Sequence, residues 1–213
     1  MEALKLAKYT FEEWLEISVH DATGDRSELI DGHIYGMASA NTSHQRISGE
    51  LFNQLYNFLK GKRCEVFTNL AVRLDAAKDT AFIPDITVVC DRDKLKKFGC
   101  EGVPDLIVEI LSPSNSQHDK VFKYNEYRKA GVREYWVVDP SDNTAIVHTL
   151  LDDKLLDDKH TTAKYTTAAY DNQEVIPVHV LPGCEIDLSA VFDHFEQSDY
   201  PNHPDRSDHP DQA

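Results

Sequence analysis

Two acidic residues stand where acids rarely stand. In "PDLIVEILS", Pro104 to Ser112, Glu109 interrupts a run of Leu, Ile and Val that opens on Pro and closes on Ser-Pro-Ser. That is the signature of a short strand buried on both faces. In "FIPDITVVC", Phe82 to Cys90, Asp85 likewise follows a Pro at the mouth of an apolar strand. An ionised carboxylate taken out of water without a partner is costly, so Glu109 must be paired, protonated or bound to a cation. The two acids lie 24 residues apart, a span that a connector and strand pairing can close. If they meet about 4 Å apart, they repel by about 4 kcal/mol at an effective dielectric of about 20, which calls for a proton or a shared cation. An oxygen-rich site of that kind suits Mg2+ or Mn2+, which bind through one or two carboxylates and keep waters that a substrate phosphate can replace. From these residues alone a plainer alternative stays open, in which Asp85 caps a turn and Glu109 pairs with an Arg or Lys of a neighbouring element.

The elements that must position these groups follow from periodicity. Thr10 and Glu13 have the Thr-x-x-Glu spacing of a helix start. "SELIDGHIYGMA" reads as a hairpin turning at Asp31-Gly32. Residues 43–60 form a long helix with Ile47, Leu51, Leu55 and Leu59 on one stripe and Gly61 at its end. Thr42 and Gln45 have capping-box spacing, which sets His44 in the first turn near the surface. Strands are expected at 64–76, 81–90 and the Glu109 stretch, with a polar connector, "DRDKLKKFGCEG", between the last two. Alternation puts Asp105, Ile107, Glu109 and Leu111 on one face, and Leu106, Val108 and Ile110 on the other. Gln117 to Ala130 reads as a helix ended by Gly131, and "VREYWVVDP" as a strand. "TAIVHTLL", "KYTTAAY" and "VIPVHVLPG" read as further antiparallel strands, and "DLSAVFDHF" as a closing helix. The expected fold class is α/β (α+β), one domain over residues 1–197 with a mixed central sheet flanked by helices and additional antiparallel strands. Residues 198–213, rich in Pro, Asp, His and Ser, read as a disordered acidic tail whose spaced histidines are solvated.

The ordered set of short motifs resembles a known family. "IPD" at Ile83-Pro84-Asp85, "PDLIVEILSPS", Asp119-x-x-x-Lys123-x-x-x-Tyr127 and "AGVREYWVVDP" are similar to the Uma-type endonuclease-like family, a former domain of unknown function. "ELIDG" from Glu28, "SHQRISGEL" around His44 and "CEVF" at Cys64 fall in the same order. That family belongs to the PD-(D/E)XK, restriction-endonuclease-like superfamily. The resemblance implies magnesium-dependent hydrolysis of phosphodiester bonds in DNA. Asp85 would be the first metal ligand and Glu109 the acid of the second motif, with the carbonyl of Ile110 completing the shell. Glu28 would add a third acid, and His44 would contact phosphate or water near the metal. The superfamily carries Lys two residues after the second acid, where this chain has Leu111. Lys123 on the following helix is the substitute that the resemblance suggests, with Lys120 a weaker one. By spacing alone Lys123 could equally be a surface lysine pairing with Asp119. Tyr127 and Trp136 read as core packing, and Ser112 as a strand-end hydrogen-bonding residue.

Charge and composition bound these expectations. The 213 residues, 41% hydrophobic and 28% charged, suit one domain with a substantial core. The net charge is −15, of which the stretch from Ser198, with four Asp and one Arg, carries −3. An acidic body of −12 works against bulk attraction to nucleic acid unless basic residues cluster locally. Lys60, Lys62 and Arg63, and Lys94, Lys96 and Lys97, are the candidates. No apolar run approaches the roughly 20 residues that span a bilayer, and "MEALKLAKYTFEEW" lacks the apolar core of a secretory signal. Cys64, Cys90, Cys100 and Cys184 have no zinc or CxxC spacing and read as reduced thiols of a cytoplasmic protein. A homodimer would set two sites on one duplex. Two other function classes compete with a nuclease. A nuclease-like domain without catalysis, acting as a binding module, is favoured by Leu111. A glycosidase acid pair is poorer, since only Trp14 and Trp136 are available as sugar platforms.

Overall fold

Thr10 and Glu13 cap the first helix reciprocally. The Glu13 amide donates to Thr10 Oγ1 at 3.2 Å and the Thr10 amide to Glu13 Oε2 at 2.8 Å. In this computed structural model, residues 7–20, 26–112, 117–151 and 164–193 are described, without the side chains of residues 19, 20 and 117–120. The expected tail, residues 198–213, lies outside the described residues, as do the side chains of Asp119 and Lys120.

Helix α1 (Phe11–His20) packs on the hairpin of β1 (Ser27–Ile30) and β2 (His33–Gly36). The hairpin turns at Asp31 and Gly32, whose φ values of +50° and +81° are the left-handed pair that a two-residue turn requires. The long helix α2 (Thr42–Leu59) matches the expected apolar stripe, with Ile47, Leu51, Leu55 and Leu59 buried. Its cap differs from expectation. Asn41, not Thr42, takes the His44 amide at 2.9 Å, so the helix starts one residue earlier than the capping-box spacing implied. His44 accordingly turns inward and is buried, not near the surface.

The expected strand over 64–76 is two strands, β3 (Glu65–Thr68) and β4 (Ala71–Arg73), broken at Asn69, whose φ is +52°. Strand β5 (Ile86–Val89) follows, then a 3-10 turn at Arg92–Lys94 and a short strand, β6 (Gly99–Glu101), inside the connector expected to be irregular. Strand β6 runs parallel to β4 with Gly99 opposite Ala71, so close that any Cβ at Gly99 would collide with the Ala71 carbonyl. The remaining elements are β7 (Leu106–Ile110), α3 (Gln117–Ala130), β8 (Glu134–Asp139), β9 (Thr144–Leu150), β10 (Tyr165–Tyr170), β11 (Val175–Pro177), β12 (Glu185–Asp187) and α4 (Leu188–Val191). The closing helix is thus a single turn, capped by Asp187.

The main sheet has six strands in the order β10-β9-β8-β7-β5-β3, and only β7 and β8 are parallel. The fold is the mixed α+β architecture expected: a central mixed sheet with helices on it and small antiparallel pairs beside it. Strand β7 alternates as its sequence predicts. Leu106, Val108 and Ile110 join Ile47, Leu51 and Leu55 of α2 in the larger core, and Ile107 packs on the other face with Tyr127, Val132 and Tyr135. Glu109 is therefore delivered to the α3 face of the sheet.

The β3–β5 register corrects the reading of two cysteines. Glu65 lies opposite Val89, so the next pair outward is Cys64 opposite Cys90, and these two form a disulfide instead of reduced thiols. Their 26-residue separation hides that proximity until the strands pair. Cys100 and Cys184 are free and buried, and burial pushes each thiol up to about 11. No helix among the described residues is long and apolar enough to cross a membrane.

Candidate active site

Proline begins the site. Strand β5 pairs with β7 only from Ile86, opposite Val108, and the same register carried back one step sets Asp85 across from Glu109 and Pro84 across from Ile110. Proline cannot donate to a ladder, so regular pairing stops there. The Ile110 amide, left without a ladder acceptor, donates instead to Asp85 Oδ2 at 2.7 Å. This bond ties the first acid to the residue that follows the second.

Asp85 Oδ2 also lies 3.2 Å from His44 Nε2, brought in by the first turn of α2. Burial works against a charge on His44. The Asp85 hydrogen bond and negative charge, with a smaller pull from the Ile110 backbone, outweigh it and hold the imidazole above its ordinary value. His44 thus buttresses Asp85 through this contact.

On the other side stands a buried cation. Lys123 Nζ, from α3, donates to Glu28 Oε1 at 2.9 Å and to Glu109 Oε1 and Oε2 at 3.2 and 3.3 Å. The reading of Lys123 as a surface lysine is therefore overturned, since it is only 7% exposed. Glu28 is held in turn by the Ile83 amide at 3.0 Å. Tyr127 Oη donates to Glu109 Oε1 at 2.7 Å, so a residue expected only to pack the core also supports the acid. Burial pushes the Glu109 carboxyl up to about 7 against the opposing pull of Lys123, and the negative charges of Asp85 and Glu28 raise it further. Tyr127 is pushed well up by the same burial and the same carboxylates.

Glu28, His44, Asp85, Glu109, Ile110 and Lys123 all line one cleft of about 610 Å3. The structure thus brings these six candidate site residues to one place, with Asp85 and Glu109 facing the same cleft. Leu111, where the resemblance led to an expected lysine, donates its amide to the Val138 carbonyl and stays in the sheet. The ammonium beside Glu109 comes from α3 instead.

The donor set fits a hard divalent cation. Asp85, Glu109 and the Ile110 carbonyl offer oxygen ligands, and Glu109 is held near neutrality by burial and neighbouring acids, a penalty that a cation relieves. Among the described residues no group of three or more His, Cys, Asp or Glu side chains is placed to hold a metal ion. A magnesium-type site built on two carboxylates needs none, because water fills its remaining positions.

Two features escaped the sequence. Glu134, fully buried, accepts from Trp136 Nε1 at 2.8 Å and from the Val180 amide at 2.9 Å, which fastens the C-terminal strands to the sheet. Burial raises its carboxyl despite those bonds. The basic residues offered as a phosphate track do not line the cleft. Lys62 sits over the Phe58 ring, and Lys94 donates to the Val103 carbonyl.

Comparisons with known proteins agree with this architecture. Uncharacterized protein slr1290 of Synechocystis sp. is 32% identical over 104 residues, 48% of this chain and 54% of that protein, so the match spans about half the relative's length. Uncharacterized protein sll1609 of the same organism is 30% identical over 118 residues, 54% of this chain and 67% of that protein. A crystal structure from Anabaena variabilis, described as "a putative nuclease belonging to DUF820", superposes with a TM-score of 0.65 over 86% of this chain and 97% of its own, at 24% identity, and shows the same fold. The profile of the Uma2 family, whose description is "Putative restriction endonuclease", matches residues 10–189, and the chain belongs to that family.

Proposed function

We propose that the chain is a Mg2+- or Mn2+-dependent endonuclease that hydrolyses phosphodiester bonds in DNA. The observation that supports this most is the buried Lys123 ammonium shared by Glu28 and Glu109, beside an Asp85 fixed by His44 and the Ile110 amide. Asp85, Glu109 and the Ile110 carbonyl would hold the ion. When bound, it supplies polarisation of the phosphate, a more acidic water and compensation of charge on the leaving oxygen.

The chain's own residues do the rest. Lys123 donates to the attacking water and to the negative charge that grows on the phosphoryl oxygens. Glu28 anchors Lys123, so the ammonium keeps its direction when Glu109 turns to a cation. Tyr127 holds Glu109 in place by donating to its Oε1. His44 keeps Asp85 in one rotamer.

The test is cleavage of plasmid DNA by purified protein with Mn2+. Asp85→Asn, Glu109→Gln and Lys123→Ala should each lower the rate by about a hundredfold or more. Wild-type rates in all three would exclude this cleft as the source of the activity. A second reading, a nuclease-like domain that binds without cutting, draws on Leu111. The α3 ammonium at Glu109 weighs against it, and Mn2+ binding without any cleavage would favour it. With the nuclease reading goes a homodimer with one cleft in each protomer.

A further inference from the structure

The β1–β2 hairpin gives the cleft a wall that the proposed chemistry does not use. Its register pairs Glu28 with Tyr35, and the Met37 amide donates to the Arg26 carbonyl just beyond the last strand pair. Directly opposite residues of an antiparallel pair share a face, as do alternate residues along a strand. Arg26, Glu28, Ile30, Tyr35 and Met37 therefore point the same way, and all five line the cleft. Glu28 reaches the floor to meet Lys123. Tyr35 stays at the rim with 53% of its surface exposed, a large aromatic ring standing beside the acids. Arg26 is oriented by Asn69 and lies near enough to oppose the charge on His44.

The floor restricts what can reach it. Glu109, Asp85 and Lys123 are 7%, 8% and 7% exposed. Among the described residues the cavity of about 610 Å3 falls within the roughly 300–1,000 Å3 that encloses a small ligand, a size that suits a nucleotide-sized piece of a strand. The charge balance points the same way. Among the described residues Arg26 and Lys123 are the lysine and arginine cations of the lining, and they face Glu28, Asp31, Asp85 and Glu109. Duplex affinity rests on many phosphate contacts, for which the described lining offers few cations. Stacking of a base on an aromatic ring needs no such surplus of charge, but it does need a base free of its pair.

We infer that the cleft recognises an unpaired DNA strand, with Tyr35 stacking on a base and Arg26 holding the adjoining phosphate so that the backbone enters beside Glu109 and Lys123. The inference rests on the nuclease reading for the chemical class of the ligand, and it adds which form of DNA is bound and by which residues.

The test is fluorescence anisotropy in EDTA, where no cleavage intrudes. A labelled mixed-sequence oligonucleotide is compared single-stranded and annealed into a blunt duplex. A 2-aminopurine base within the strand reports stacking. The single strand should bind about tenfold or more tighter than the duplex. Tyr35→Ala should weaken single-strand binding about tenfold and abolish the 2-aminopurine quenching. Tyr35→Phe should retain both, and Tyr56→Ala, an equally exposed tyrosine outside the cleft lining, should change neither. Equal or tighter binding of the duplex, no effect of Tyr35→Ala, or no binding of either form overturns the inference. If Mn2+-loaded protein cuts duplex with an unchanged kcat/KM in Tyr35→Ala, the inference falls and the nuclease reading stands. If Tyr35-dependent strand binding is present but no DNA is cut, the inference stands and the nuclease reading falls.

Discussion

Exchanging Lys123 for methionine removes one ammonium while keeping the reach of the side chain. In the wild type that nitrogen touches Glu28 Oε1 and both oxygens of Glu109. Because Glu28 Oε1 and Glu109 Oε1 share one donor at 2.9 and 3.2 Å, they lie within about 6 Å of each other. Two carboxylates at that separation repel by about 3 kcal/mol at an effective dielectric of about 20. Removing one member of a buried ion pair characteristically costs about 3–5 kcal/mol. Lys123→Met should therefore lose about 3–5 kcal/mol at pH 8, which lowers Tm by about 10 °C for a chain of this size. The pH dependence carries the diagnostic sign. Without the ammonium, Glu109 keeps its proton to still higher pH when folded than when unfolded, so the penalty is present above the folded pKa and absent below the unfolded one. Most of the lost stability should return at pH 5, and adding Glu28→Gln should recover part of it at pH 8. Urea denaturation of metal-free protein at the two pH values measures all of this. A variant as stable as wild type at pH 8, or with the same deficit at both pH values, would refute the bridging role.

Three further outcomes follow from the same network. Burial raises Glu109 from an ordinary 4.5 to about 7, so its protonated form favours the folded state, and that contribution is lost as pH rises through about 7. The stability of wild type relative to Glu109→Gln should fall by on the order of 3 kcal/mol from pH 4.5 to 8, and parallel urea curves would contradict the shift. Tyr127→Phe deletes the 2.7 Å bond to Glu109 and should cost about 1–3 kcal/mol while moving the Glu109 titration upward, read by carboxyl-labelled NMR. Glu134→Ala strips the acceptor from both Trp136 Nε1 and the Val180 amide. It should cost about 3 kcal/mol or more and shift the Trp fluorescence, and a loss below about 1 kcal/mol would deny Glu134 its fastening role.

Much of the fold was legible because its signals are local. The Thr10–Glu13 box, the Asp31-Gly32 turn, the α2 stripe and the alternation along β7 each follow from neighbours a few residues apart. What failed depended on partners far away in the chain. The Cys64–Cys90 pair exists only through the β3–β5 register, and β6 exists only because β4 lies beside Gly99. Asn41 outcompeted Thr42 as a cap, and that one-residue shift accompanies the turn of His44 inward onto Asp85. The site was legible in its acids, because a carboxylate inside an apolar strand needs an explanation. Lys123 was left between two readings, and α3 packing decided between them by burying it against Glu109. Tyr127 and Tyr35 were missed for opposite reasons. An aromatic residue among apolar neighbours looks like packing whether or not its hydroxyl finds an acid, and the place of Tyr35 over the cleft follows from its pairing with Glu28.

The central claim is that Asp85 and Glu109 form, with the Ile110 carbonyl, one seat for a divalent ion. Anomalous diffraction from crystals soaked in Mn2+ tests it most directly. One peak in contact with all three groups, absent in Asp85→Asn, is the predicted result. No peak at saturating Mn2+, or a peak bound elsewhere with Glu109 still closed on Lys123, would contradict it.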